Sequence, residues 1–256
     1  MLFDIVIPLG PNERMNIYKQ IEYTKKNVVG YRNIYIVTNN TEKLEFNDCI
    51  IVDENSFPFK LNDIASYFYK HNGKTNRNGW YFQQLLKLYA SFVIEGILDT
   101  YLVIDADVFF LKPLEFYKDS KYLFTISNEN HKPYFDHMTK LHPSFIKQTM
   151  YSGIAHHMIF NKVIIKEMFD KVECHHNNRP FWLIFIEAVD EHKKHNRDVI
   201  ESGASEYELY FNYMLIYHKD IIEIRNLNWA NKPYNYNINN NNNNDLYYVS
   251  ICSWIK

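Results

Sequence analysis

Four short apolar runs, rich in β-branched residues, set the limits on how this chain can fold: 2–7, 33–38, 49–53 and 100–104. Each is nearly continuous instead of alternating with polar residues, and polar or helix-patterned stretches separate them. Strands of that kind are buried on both faces, as in parallel sheets covered by helices. The pattern predicts an α/β fold with a mixed, mainly parallel central sheet flanked by helices. In such sheets a ligand lies beyond the carboxyl ends of the strands, where strand order reverses. Pro8, Leu9, Thr38 and Asp53 all stand at strand ends, which makes them expected walls of that crevice, although each is also ordinary turn chemistry. Neither G-x-G-x-x-G nor G-x-x-x-x-G-K-[ST] occurs, so dinucleotide and P-loop binding are not indicated.

Between and after these strands, helical spacing recurs. Asn12 is placed to cap a helix reaching residue 27, with Glu13 in its first turn. From 80 to 98 the apolar positions Trp80, Leu85, Leu88, Phe92 and Ile97 mark a helix with a broad buried face. On it Gln83, Gln84 and Lys87 lie three or four apart, so Gln83 or Gln84 shares a face with Lys87. That face meets either solvent or the crevice, where Lys87 would serve a diphosphate. Residues 60–78 are polar and read as partly irregular; 131–150, with two prolines, read as a loop or lid. Residues 151–160 open as a turn and become a strand. There His156 and His157 point to opposite faces, one available to an acceptor site and the other to the core, with a plain core or surface role as the alternative for each. Segments 163–172 and 180–193 read as helices, the second opened by Pro180. Ser205 and Glu208 have capping-box spacing at the start of a helix to residue 217, which leaves Glu206 free in the first turn. The asparagine run 239–244 reads as a low-complexity loop, and 246–252 as a last strand.

The stretch 100–113 carries the chemistry. An apolar strand ends in Asp105-Ala106-Asp107, and a second apolar run follows. Carboxylates beside a core need a partner. Hard cations such as Mg²⁺ and Mn²⁺ accept such oxygens together with substrate phosphates. The pair therefore reads either as a metal site for a phosphate-bearing substrate or as a plain turn.

With 256 residues the chain suits one domain. A net charge of −2 offers no basic excess for nucleic acid or anionic membrane. Three widely spaced cysteines, Cys49, Cys174 and Cys252, suggest a reducing compartment without a disulfide framework. Cys174-His175-His176 invites a zinc reading, but no second Cys/His pair stands at a suitable spacing. No apolar run approaches the roughly 18 residues of a membrane span, and no signal peptide is evident. The expected location is cytoplasmic, or the host cytoplasm for a viral chain.

The helix carrying Lys87-Leu88-Tyr89-Ala90, followed by Ile104-Asp105-Ala106-Asp107-Val108, resembles the GT-A fold nucleotide-sugar glycosyltransferases of the glycogenin-like and galactosyltransferase groups. Segments 152–160 and 205–210 look like those of a GT-A-like group in bacteria and large DNA viruses. The resemblance implies a single Rossmann-like GT-A domain over 1–256, with a donor half at 1–115 and an acceptor half at 116–256. It implies Mn²⁺ or Mg²⁺ against the diphosphate of a nucleotide-sugar, a UDP-sugar first, and a glycan or glycoconjugate acceptor. Asp107 would ligate the metal. Asp105 would contact the metal or the ribose, with Ala106 between them on the donor side. Pro8, Leu9 and Asp53 would border the nucleoside, and Gln84 and Lys87 would lie near the diphosphate. Ser152, Gly153, His156 and His157 fall on the acceptor side.

Two departures stand out. No His follows His218, and Cys252 stands where many relatives have a metal-binding His. The glycogenin-like H-x-x-G-x-x-K-P-W is only echoed by Asn231-Lys232-Pro233-Tyr234. An inverting enzyme needs a carboxylate to deprotonate the acceptor hydroxyl; Glu206 is the first expectation and Glu208 the second. Rival readings are a nucleotidyltransferase or phosphohydrolase with acidic strand ends, and an inactive GT-A-like binding protein.

Overall fold

The computed structural model describes residues 1–11, 16–39, 41, 46, 48–72, 77–189, 202–238 and 245–252. The cap expected at Asn12, the 239–244 run and the last four residues lie outside them. Four of the apolar runs form strands β1 (Phe3–Pro8), β2 (Tyr31–Thr38), β3 (Ile50–Asp53) and β4 (Thr100–Ile104). They join β8 (His157–Asn161) in one sheet of order β3-β2-β1-β4-β8. The first four are parallel and β8 runs antiparallel to β4. The fold class read from the apolar runs holds: mixed α/β, with a central, mainly parallel sheet flanked by helices. The chain builds outwards from β1 to β3 and then returns to β1's other side with β4, so strand order reverses between β1 and β4.

Helices α3 (Asn78–Val93) and α5 (Lys162–His175) bury largely apolar faces, while α1 (Ile17–Asn27) buries Ile17 and Ile21 beside Gln20, Thr24 and Asn27. Two smaller sheets complete the fold. One pairs β5 (Val108–Phe110) with β11 (Tyr248–Cys252) and β10 (Trp229–Pro233); the other joins β6 (Tyr117–Lys118), β7 (Lys121–Thr125) and β9 (Ile222–Arg225). Asp4, inside β1 and fully buried, is satisfied by Arg32 Nε and Nη2 at 3.0 and 2.6 Å and by the amides of Asn33 and Leu98. Among the described residues, no helix is long and apolar enough to cross a membrane.

Two stretches read as irregular are helical. In α2 (Leu61–Asn72) the apolar stripe is narrow, with Ile64 and Phe68 one turn apart and fully buried. In α4 (Lys132–Leu141) Tyr134, Met138 and Leu141 bury one face. Its prolines mislead because Pro133 falls in the first turn, where no amide donor is needed, and Pro143 falls after the last. The segment opened by Pro180 gives α6 (Phe181–Glu187). Helix α7 (Glu206–Tyr217) is buried from Glu206 to Met214, on every face.

Candidate active site

A cleft of about 920 Å³ opens where strand order reverses. Its walls include Pro8 at the end of β1 with Leu9 and Gly10 after it, Val37 and Asn39 at the end of β2, and Asp105-Ala106-Asp107 after β4. Helix α3 contributes Gln84 and Lys87, the start of α7 gives Ser205 to Tyr207, and the β10–β11 sheet gives Trp229 and Cys252.

At its centre, ligand atoms of Asp105, Asp107 and His156 lie within 4.8 Å of one another. Register explains the approach of His156. Ile104 pairs with His157 across the antiparallel β4–β8 ladder, and the next amide, Asp105 N, donates to His156 O at 2.9 Å. His156 itself has φ +61. That conformation is costly for a residue other than glycine and tends to persist where function requires it. Its Nδ1 is 3.4 Å from Asp105 Oδ2. Two carboxylates and one imidazole make a donor set that could hold a divalent cation. Cys252 lines the cleft too, but burial pushes its thiol up to about 11, so it stands neutral and soft. His156 is thus the third candidate ligand beside the two aspartates.

Beneath the carboxylates a buried network ties three elements together. Lys87 Nζ donates to Asp105 Oδ1 at 2.6 Å, to Glu206 Oε1 at 2.6 Å and to Tyr207 OH at 3.3 Å. Tyr207 OH donates in turn to Asp105 Oδ1 at 2.9 Å. Burial works against the charge on Lys87, but Asp105 and Glu206 outweigh it and raise its pKa. Burial would lift Asp105, yet Lys87 and His156 hold it well below the usual carboxylate range. For Glu206 burial wins, and its pKa is raised despite Lys87. At His156 the two aspartates overcome burial and raise the pKa.

Helix α3 positions this network. Gln84 accepts from Glu206 N and donates to Ala204 O, both at 3.1 Å, and Tyr81 OH accepts from Gly203 N at 3.0 Å. Gln84 and Lys87, three apart, therefore share the face that meets the start of α7.

The remaining expected residues fall as follows. Thr38 is buried, with its neighbours Val37 and Asn39 on the cleft wall. Asp53 Oδ1 accepts from Asn55 N at 2.8 Å and caps a single 3-10 turn, while Glu54 lines the cleft. Ser152 is buried and bridges Ser127 through its backbone. Gly153 packs on Phe211 so closely that an added Cβ would come within 2.5 Å of it. His157 lies in the core, ringed by Phe110, Phe116 and Tyr248, with Nε2 3.2 Å from Thr125 Oγ1. Of the adjacent histidines one faces the cleft and the other the core. The capping box forms by half. Ser205 Oγ accepts from Glu208 N at 3.3 Å, but the Glu208 carboxylate accepts from Asn212 and Ser152 instead of reaching back. Cys174 is exposed, and no metal-ligating group forms around it among the described residues. Tyr207, Trp229 and Glu129, all on the cleft, were not singled out from sequence.

A family model described as a family of unknown function, DUF6492, matches residues 17–239. The chain belongs to DUF6492. No curated protein matches this DUF6492 chain. Among solved structures it is similar to mouse xyloside xylosyltransferase 1 in its apo form, with a TM-score of 0.42 and 7% identity over 91% of this chain and 88% of that one.

Proposed function

We propose that this chain is a metal-dependent glycosyltransferase. It would move a sugar from a nucleoside-diphosphate-sugar, a UDP-sugar first, to a hydroxyl of a glycan or glycoconjugate, with inversion. The observation that carries this reading is the Asp105–Asp107–His156 group on the cleft where strand order reverses. It is supported by the resemblance that the Lys87 helix and the D-x-D strand bear to GT-A enzymes.

In this reading Asp105, Asp107 and His156 hold Mn²⁺ or Mg²⁺. A bound divalent cation there supplies Lewis-acid stabilisation of the charge that develops on the leaving diphosphate. Lys87 keeps Asp105 ionised and oriented and places a fixed positive charge at the cleft floor. Pro8 and Leu9 border the nucleoside. Residues 1–115 supply the donor side and 116–256 the acceptor side of one domain, and the centre draws on both. Because Glu206 Oε1 is already committed to Lys87, Glu206 serves first as the counter-ion that fixes the ammonium.

A thermal-shift screen tests the reading, with UDP-glucose, UDP-galactose, UDP-N-acetylglucosamine, GDP-mannose and ATP, each with and without Mn²⁺. A ligand at a hundred times its Kd adds about 2.7 kcal/mol of apparent stability. A shift given by a nucleotide-sugar only with Mn²⁺ is expected. No shift from any nucleotide-sugar, or a preference for ATP, would point away from glycosyl transfer.

A further inference from the structure

An inverting transfer needs a carboxylate that an incoming hydroxyl can reach. Among the described residues, five acidic ones line the cleft: Glu54, Asp105, Asp107, Glu129 and Glu206. Asp105 and Asp107 belong to the candidate metal group, Glu206 is spent on Lys87, and Glu54 stands in the turn that follows β3, on the side that the proposed function gives to the donor. Glu129 differs from all of them. It is exposed at the cleft, and no hydrogen bond or ion pair to a described residue engages its carboxylate.

Its backbone is nevertheless fixed. Ser127 bridges Ser152 in both directions, at 2.9 and 3.0 Å, and Glu129 N donates to Ser127 Oγ at 3.3 Å. Two residues on, His131 Nε2 lies 2.9 Å from Ser202 O. A carboxylate with no hydrogen bond or ion pair to any described residue is thus held on a strip pinned at both ends. That strip also separates two cavities. Ser127 and Asn128 line a polar groove of about 420 Å³ with Asn226, Asn228 and Tyr151, and Trp229 lines both the groove and the cleft. Carboxamides beside aromatic rings suit a polyhydroxyl molecule, which would cross this strip on its way to the donor.

We propose that Glu129 is the catalytic base, taking the proton of an acceptor hydroxyl that enters from the neighbouring groove; this rests on the glycosyltransferase reading. The acceptor oxygen forms its bond to the anomeric carbon as its proton passes to the Glu129 carboxylate. The bond from that carbon to the diphosphate breaks, and its electron pair leaves on the phosphate oxygen. Water can take the acceptor's place, giving free sugar and nucleoside diphosphate.

The test uses the full chain, Mn²⁺ and whichever UDP-sugar gives the metal-dependent shift, with release of UDP to water as the readout. Glu129→Gln is expected to lower kcat by about 10²- to 10⁴-fold, leaving the donor KM and the Mn²⁺-dependent thermal shift at their wild-type values. Glu129→Asp should retain part of the rate, which a merely structural role would not predict. Wild-type turnover by Glu129→Gln overturns the proposal, as does loss of kcat with full donor binding in Glu206→Gln alone. If the wild type neither binds nor cleaves any donor, the glycosyltransferase reading has failed, and the base falls with it.

Discussion

Lys87 Nζ lies 2.6 Å from Glu206 Oε1, although 119 residues separate them and both side chains are about 3% exposed. The same ammonium reaches Asp105, so one cation serves the buried Glu206 and the half-buried Asp105 from different elements. Breaking a buried pair by removing one partner typically costs about 3–5 kcal/mol. Lys87→Met should destabilise the chain by that order in urea unfolding, because it leaves Glu206 buried without its cation and Asp105 with only Tyr207 and His156 beside it. Adding Glu206→Gln should recover part of the loss. Strict additivity of the two substitutions would mean that the contact carries no coupling.

Gly153 has an ordinary steric reason to be glycine. A Cβ there would sit 2.5 Å from Phe211 Cβ, 2.8 Å from its Cγ and 3.0 Å from Met158 Cε. Overpacking of this kind costs about 1–3 kcal/mol. Gly153→Ala should lower the melting temperature by several degrees, and an unchanged Tm would show that α7 shifts freely.

Legibility in the sequence tracks locality. Asp105 and Asp107 were readable because a continuous strand leads straight into them, and Gln84 and Lys87 because helical spacing alone puts them on one face. His156 as a candidate ligand was not, since its place beside the aspartates depends on β8 pairing antiparallel with β4, Ile104 against His157, and on a left-handed backbone angle. Nor was the capture of Glu206 by Lys87, which requires α3 to pack on the start of α7. Helices α2 and α4 escaped because two or three apolar residues suffice to seat them, and because Pro133 opens the second one.

His157 sets a pH dependence. Burial, with Arg225 and His156 adding to it, holds its pKa well below the ordinary value of 6.5. The imidazole is neutral when folded, while the unfolded chain takes up a proton below about pH 6.5. The unfolded state therefore binds more protons there, and stability falls as pH drops, by up to about 1.4 kcal/mol per pH unit for this one group. Other groups titrate nearby, so the difference from His157→Gln isolates it. Wild type should lose more stability than the variant between pH 7 and 5 in urea titrations, and parallel curves would contradict the assignment.

The central claim is that Asp105, Asp107 and His156 hold a divalent cation against a donor diphosphate. Calorimetric titration of UDP into the full chain tests it, run with Mn²⁺, with EDTA, and with Asp107→Asn in Mn²⁺. The account predicts saturable binding in Mn²⁺ that disappears in EDTA and weakens at least tenfold, about 1.4 kcal/mol, in the variant. Equal affinity in all three titrations, or no binding in any, would contradict it.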